Sequence, residues 1–136
     1  TIQYSAKSNP SFLSLLLGRF SFLRAIPLFK VYYSLHTNSN LNYSALLIPC
    51  SYLSGCFIVF RSSAYEMIDG FDESFFLHLE DADISRRLTH LGTVAQVPFV
   101  SIVHRWARGS HKSLFQTFCL IKSYFYYISK WGFKFL

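Results

Sequence analysis

Glu80, Asp81 and Asp83 stand within four positions of one another in a chain with seven acidic residues against thirteen Lys and Arg. They follow directly on Phe75, Phe76 and Leu77 in the stretch "FFLHLEDADISRRL", residues 75–88. Carboxylates packed this closely suit the first turn of a helix, where they accept free N–H groups and meet the positive end of the dipole. Ile84, Leu88 and Leu91 then repeat at i, i+4 and i+7, and Gly92 supplies a stop, so a helix is predicted from about Asp81. Asp83 and Arg87 fall at i, i+4, the spacing of an ion pair along one helix face. The same carboxylates also suit a general base, since an acid held beside apolar walls is poised to take a proton. Local pattern leaves both readings open.

The rest of the chain alternates helical and extended patterns. "NPSFLSLLLGRFSFL" places Pro10 before a Leu/Phe run and predicts a helix over about Ser11–Leu23, ended before Pro27. "HTNSNLNYS" (36–44) is a loop. "GCFIVFR" (55–61) is short, β-branched and aromatic and reads as a buried strand. It runs into "SSAYEMIDG", where Ser63 and Glu66 have capping-box spacing and Gly70 ends a short helix. "TVAQVP" and "FVSIVHR" (93–105) read as two extended segments around Pro98. Leu114, Phe118, Ile121, Phe125 and Ile128 form one stripe of a last helix, which closes at Gly132 and is expected to face the core. Strands and helices mixed in this way predict an α/β or α+β domain.

Composition narrows the function classes. With 51% hydrophobic residues, 19% aromatic and only 15% charged, the chain is too apolar for disorder and can bury a core. Three cysteines, Cys50, Cys56 and Cys119, form no CxxC pair, which argues for reduced thiols over a disulfide framework or zinc site. The net charge of +6 favours an anionic partner: phosphates, anionic lipid or nucleic acid. No stretch reads as a membrane span, because Lys122 and Lys130 interrupt the apolar tail, but an interfacial role stays open.

Further residues carry candidate chemistry. "DAD" at 81–83 matches the DxD that holds a metal–nucleotide diphosphate, yet it opens a helix instead of ending a strand, so the metal reading is rejected for it. His104 ends "VSIVH" and is either a routine strand-end histidine or a metal ligand. "HRWARGSHKS" (104–113) is a solvated basic loop or one that grips phosphate oxygens through Arg108, Ser110 and Lys112.

In order and spacing these pieces resemble the C-terminal half of bacterial family 2 glycosyltransferases. The pattern is "SGCF", the turn "GFDESFF", "EDADISRR", the "VSIVH" strand and the basic loop "RGSHKS". The branch most similar is the rhamnosyltransferase-like one that builds O-antigen, capsule and related surface polysaccharides. The resemblance implies a GT-A fold, an α/β nucleotide-binding sandwich, and inversion at the sugar carbon. It implies that Asp81 is the base that deprotonates the acceptor hydroxyl, with Glu80 and Asp83 as its catalytic neighbours. Gly55 and Asp72 would lie near the acceptor or sugar. Arg108, Ser110 and Lys112 would close over donor phosphates, and His104 would complete a Mg²⁺ or Mn²⁺ site.

The implied partners are a dTDP- or UDP-sugar donor and a glycan or lipid-linked glycan acceptor, with no nucleic acid. The implied setting is cytoplasmic, with a peripheral contact at the inner face of the plasma membrane left open. The family's N-terminal nucleotide-binding half has no counterpart here. The expectation is therefore one partial domain over 1–136, the acceptor-side half of a longer enzyme, inactive by itself, with 112–136 as a C-terminal amphipathic helix. The competing expectation is a non-catalytic basic module that binds membranes or partners.

Overall fold

The computed structural model describes residues 4–104 and 113–136. In chain order these are β1 (Ala6–Lys7), α1 (Phe12–Arg19), a 3-10 turn (Ser21–Ala25), α2 (Pro27–His36), β2 (Ile48–Pro49), β3 (Tyr52–Leu53), α3 (Ser62–Met67), α4 (Glu80–Leu88), β4 (Ala95–Gln96) and α5 (Leu114–Trp131). The mixture of helix and sheet is as expected, but the sheets are small. β1 pairs antiparallel with β3, Ala6 opposite Leu53 and Lys7 opposite Tyr52. β2 pairs antiparallel with β4, Ile48 opposite Gln96. The Ala6 N–H donates to Gln96 Oε1 at 2.8 Å and ties the two pairs together.

The first helix is shorter than its Leu/Phe pattern. Ser11 caps it in a reciprocal box with Ser14, and the C-terminal tail satisfies further first-turn donors. Phe12 N–H donates to the Lys134 carbonyl at 2.9 Å and Leu13 N–H to that of Phe135 at 3.1 Å. Past Arg19 the chain tightens into the 3-10 turn. Pro27 does not merely end this segment but opens α2 at its first position, where its missing N–H has no cost.

The expected strand at 55–61 does not form. Phe57 and Val59 are exposed, no strand among the described residues pairs with this segment, and an unpaired extended segment leaves its N–H and C=O groups to solvent. The strand lies just before it, at Tyr52–Leu53. Residues 99–104 of the second extended segment are also irregular, with Val103 99% exposed. The capping box of Ser63 and Glu66 is absent, because α3 starts two residues earlier than that box requires and Arg61 occupies the cap without a side-chain bond. Gly70 does stop that unit: its φ is +65°, and a Cβ there would meet the Tyr65 ring at 2.9 Å.

The core gathers Tyr52, Phe75, Leu79, Ala82 and Tyr127, with Leu15, Tyr124, Tyr126 and Trp131 packed against it. Here α5 differs most from its sequence pattern. The helix spans Leu114–Trp131 and ends at Gly132 with φ +83° as expected, but the buried residues are Cys119, Ser123 and Tyr127. Leu114, Phe118, Ile121 and Phe125 of the expected core stripe are exposed. The helix is apolar almost all round, so periodicity could not choose between its faces. Polar anchors choose instead: Ser123 Oγ donates to the Leu77 carbonyl at 2.7 Å, and Tyr126 Oη to Asp72 Oδ2 at 3.0 Å.

The strongest anchor is Asp83, whose side chain is 0% exposed. It takes Arg87 Nε at 2.8 Å along α4, Lys130 Nζ at 2.9 Å and Trp131 Nε1 at 2.8 Å from α5. Lys130 also reaches Asp72 at 2.7 Å. Asp83→Ala would strand two cations at the α4–α5 seam, and removing one partner of a buried pair costs about 3 kcal/mol or more. Urea unfolding of Asp83→Ala beside exposed Glu73→Ala should show that loss in the first and a change within about 0.5 kcal/mol in the second.

Candidate functional site

The carboxylates of 80–83 are divided by the helix that carries them. α4 begins at Glu80, so Glu80, Asp81 and Asp83 occupy its first turn. Asp83 turns inward to the Arg87–Lys130–Trp131 cluster. Asp81 turns the other way, toward the chain after β3. Its Oδ2 accepts the Gly55 N–H at 2.8 Å and its Oδ1 accepts the Ala82 N–H at 2.8 Å. The second bond satisfies a free first-turn N–H, as anticipated from the residue types, from inside the helix and not from its cap position. The first is a long-range clamp across 26 residues. Gly55 makes it possible: a Cβ there would lie 3.3 Å from Asp81 Cβ, so the close approach this glycine permits is to Asp81.

The backbone entering α4 is strained. His78 and Leu79 both lie in the left-handed region, at φ +69° and +66°, at a cost of about 1–2 kcal/mol each. The cap residue Leu79 has no side-chain bond, so local capping does not repay this. Burial of Phe75 and Leu79 in the core and the hold of Ser123 on the Leu77 carbonyl impose the conformation. Two buried polar atoms beside Asp81 lack partners, His78 Nε2 and Glu80 Oε2.

The electrostatics follow from that burial. Desolvation raises the Glu80 pKa above the ordinary carboxylate range, and the Asp81 charge adds to the shift. Desolvation lowers His78, against the pull of Asp81. Lys7, on β1, is lowered by burial too, with Asp81 and Cys56 opposing. Tyr52, beneath them, is raised well above 10 by burial and then by Asp81. An oriented carboxylate, a second carboxyl with a raised pKa, an imidazole with a lowered one and a partly desolvated lysine thus share one place. A carboxylate oxygen bonded to a single N–H retains acceptor capacity for a hydroxyl.

Other candidates lie elsewhere. Asp72 is not free to meet a sugar: Lys130, Tyr126 Oη and the Ser74 N–H hold it, and the Lys130 bond keeps its pKa well below the usual carboxylate range. Asp83 is occupied in the same way, which makes both acids supports for α5. His104 sits on the exposed irregular segment. Arg108, Ser110 and Lys112 lie outside the described residues. Among the described residues no three His, Cys, Asp or Glu side chains converge as metal ligands, and Asp81 and Asp83 diverge, so these residues do not by themselves fit Mg²⁺ or Mn²⁺.

Sequence reasoning missed Lys7 and His78. A histidine set among Leu77 and Leu79 just before the acidic turn was a readable signal. Lys7 had none, because only the β1–β3 pairing brings it to Asp81.

Part of the chain is similar to known glycosyltransferases. The relatives in question are the N-acetylglucosaminyl-diphospho-decaprenol L-rhamnosyltransferases of Mycobacterium tuberculosis strains CDC 1551 / Oshkosh and ATCC 25618 / H37Rv, each 35% identical over 63 residues. The aligned stretch is 46% of this chain and 20% of each relative, so the chain spans about a fifth of their length. No family model matches, and no solved structure matches. The similarity supports a glycosyltransferase relationship in general terms.

Glu80 gives a test of the site's electrostatics. Its folded pKa is raised, so folding favours the protonated form. Stability is then greatest below the unfolded value of about 4.3 and is lost as pH rises through the folded value. Glu80→Gln should melt at a higher temperature than the parent chain at pH 7, with the difference vanishing near pH 4 and below. Equal melting at pH 7 would show that Glu80 carries no burial penalty.

Proposed function

We propose that this chain is the acceptor-side part of an inverting GT-A glycosyltransferase that moves a sugar from a nucleotide-diphosphate donor to a glycan acceptor. The observation that carries the reading is Asp81, clamped by the Gly55 and Ala82 N–H groups on a strained helix start beside Lys7, His78 and Glu80. The 63-residue similarity to rhamnosyltransferases points the same way.

In this reading Asp81 takes the proton of an acceptor hydroxyl. The hydroxyl oxygen bonds to C1 of the donor sugar as the bond from C1 to the diphosphate oxygen breaks, and the electron pair leaves with the diphosphate. The two N–H bonds hold the carboxylate at one angle, which general-base catalysis requires. Glu80 stands beside Asp81 and binds a second acceptor hydroxyl. Rhamnose as the transferred sugar, dTDP or UDP as its carrier, a lipid-linked glycan as acceptor and a cytoplasmic setting all belong to this proposal. So does the role of Arg108, Ser110 and Lys112 on donor phosphates. A divalent metal would stabilise the leaving diphosphate when bound; His104 supplies at most one ligand, and no step here depends on it.

In a preparation that transfers sugar, Asp81→Asn should lower the rate by about 10²–10⁴-fold while donor binding stays near the parent value. Transfer at the parent rate would remove Asp81 as the base.

One observation favours a second reading, a peripheral membrane or interaction module. The outward face of α5 presents Leu114, Phe115, Phe118, Ile121 and Phe125 to solvent beside Lys122, an arrangement suited to lying in a bilayer interface. Among the described residues no helix is long and apolar enough to cross a membrane. Flotation with anionic liposomes should be reduced by Phe118→Glu/Phe125→Glu if this face binds lipid, and unchanged if it does not.

A further inference from the structure

A second concave feature shares no residue with the Asp81 site. The 3-10 turn and α2 border an open cleft of about 540 Å³, lined by Arg24, Lys30, Tyr33, Ser34, Thr37 and Ser39, with Ser21 on the turn. Lys30, Tyr33, Ser34 and Thr37 repeat at i, i+3, i+4 and i+7, so one face of α2 and its C-cap residue form a wall of it. The volume falls within the range of small-molecule sites, about 300–1,000 Å³.

The cations of this cleft have no counter-charge. All seven acidic residues lie between positions 66 and 83, none on the segment that builds the cleft. Among the described residues neither Arg24 nor Lys30 makes an ion pair. Arg24 is held in place all the same: its guanidinium carbon sits 4.5 Å from the centroid of the Tyr33 ring, which orients its plane. Its Nε is buried and has no hydrogen-bond partner, and a buried donor on a permanent cation left unpaired is costly. An anionic oxygen removes that cost, and the planar fork of donors matches carboxylate and phosphate alike.

The hydroxyls of the cleft have the opposite need. Ser34 Oγ donates to the Val31 carbonyl at 2.7 Å, Thr37 Oγ1 to the Tyr33 carbonyl at 2.9 Å and Ser39 Oγ to the Ser34 carbonyl at 3.3 Å. Each hydroxyl has one hydrogen, and these three are spent on backbone. What they keep is acceptor capacity, on their lone pairs. Only a ligand that brings hydrogen-bond donors can replace the water on them without loss. A bare oxyanion such as sulfate brings none, and a neutral sugar leaves the Arg24 Nε unpaired. The lining as a whole is complementary to one molecule that carries both an anionic group and several hydroxyls.

We propose that this cleft binds an acidic sugar, with Arg24 and Lys30 on its carboxylate or phosphate oxygens and Ser34, Thr37 and Ser39 accepting from its ring hydroxyls. The site stands on the cleft's own bonding pattern and is independent of sugar transfer at Asp81.

The probes are D-glucuronate and D-glucose 6-phosphate, with D-glucose, sulfate and triglutamate as controls, each titrated into the chain and followed by amide NMR shifts. At least one acidic sugar should bind about tenfold or more tightly than every control, with the largest shifts over residues 21–39; the tighter of the two names the anionic group. Arg24→Gln and Lys30→Gln should each weaken it by about tenfold, the loss expected for one charge-assisted bond. Thr37→Val should weaken it by about threefold, one neutral hydrogen bond, and leave sulfate binding unchanged. Circular dichroism checks the fold, and Lys30 is exposed, so Lys30→Gln keeps the test decisive if Arg24→Gln or Thr37→Val fails to fold. Sulfate binding as tightly would reduce the cleft to a free-anion site and overturn the proposal. Glucose binding as tightly would make it a neutral-sugar site, and triglutamate an acidic-peptide site, with the same result. Acidic-sugar binding that is absent, or indifferent to Arg24→Gln and Lys30→Gln, would also overturn it.

Discussion

Asp83 is the contact through which the candidate site is held to the rest of the chain. It lies in the first turn of α4, wholly buried, and receives Arg87 from its own helix and Lys130 and Trp131 from the end of α5. Burial opposes the charge on Lys130, but its bonds to Asp83 and Asp72 outweigh that and raise its pKa. Lys130 therefore stays a cation that bridges α4 to the turn at 72. Arg86 lies over the Trp131 ring at 4.4 Å and completes the seam. Because α5 enters through polar anchors rather than an apolar stripe, its Phe and Leu side chains are left on the outside.

That seam has a consequence for the chemistry. With Asp83 drawn inward, the turn of helix that carries it must present Asp81 toward β3 and the Gly55 N–H. The core position of Leu79 then forces residues 78–79 into left-handed backbone. Strain of this kind persists only where the surroundings over-determine it, and here both the core and the seam do so. Acids that look alike in sequence thereby acquire different work: Asp83 and Asp72 are structural counter-ions, whereas Asp81 binds only backbone N–H groups and Glu80 keeps a buried oxygen without a partner.

Charge is unevenly divided along the chain. All seven acidic residues fall between positions 66 and 83, while the segment that carries Arg24 and Lys30 holds none.

Local patterns determined a good part of this protein. The carboxylates at 80–83 start a helix, Gly70 and Gly132 end helices, Asp83 pairs with Arg87, and residues 37–44 form no helix or strand, because capping, left-handed backbone and i, i+4 spacing act within a few residues. Tertiary structure alone decided the rest. Gly55–Arg61 has strand composition but no strand to pair with. The stripe of α5 had several apolar faces to choose from, and bonds to Asp72, Leu77 and Asp83 made the choice. Lys7 reaches Asp81 only through the pairing of β1 with β3. Which acid would be free and which buried depended on partners about fifty residues away along the chain, and a contact of that span leaves no periodicity in the sequence from which to read it.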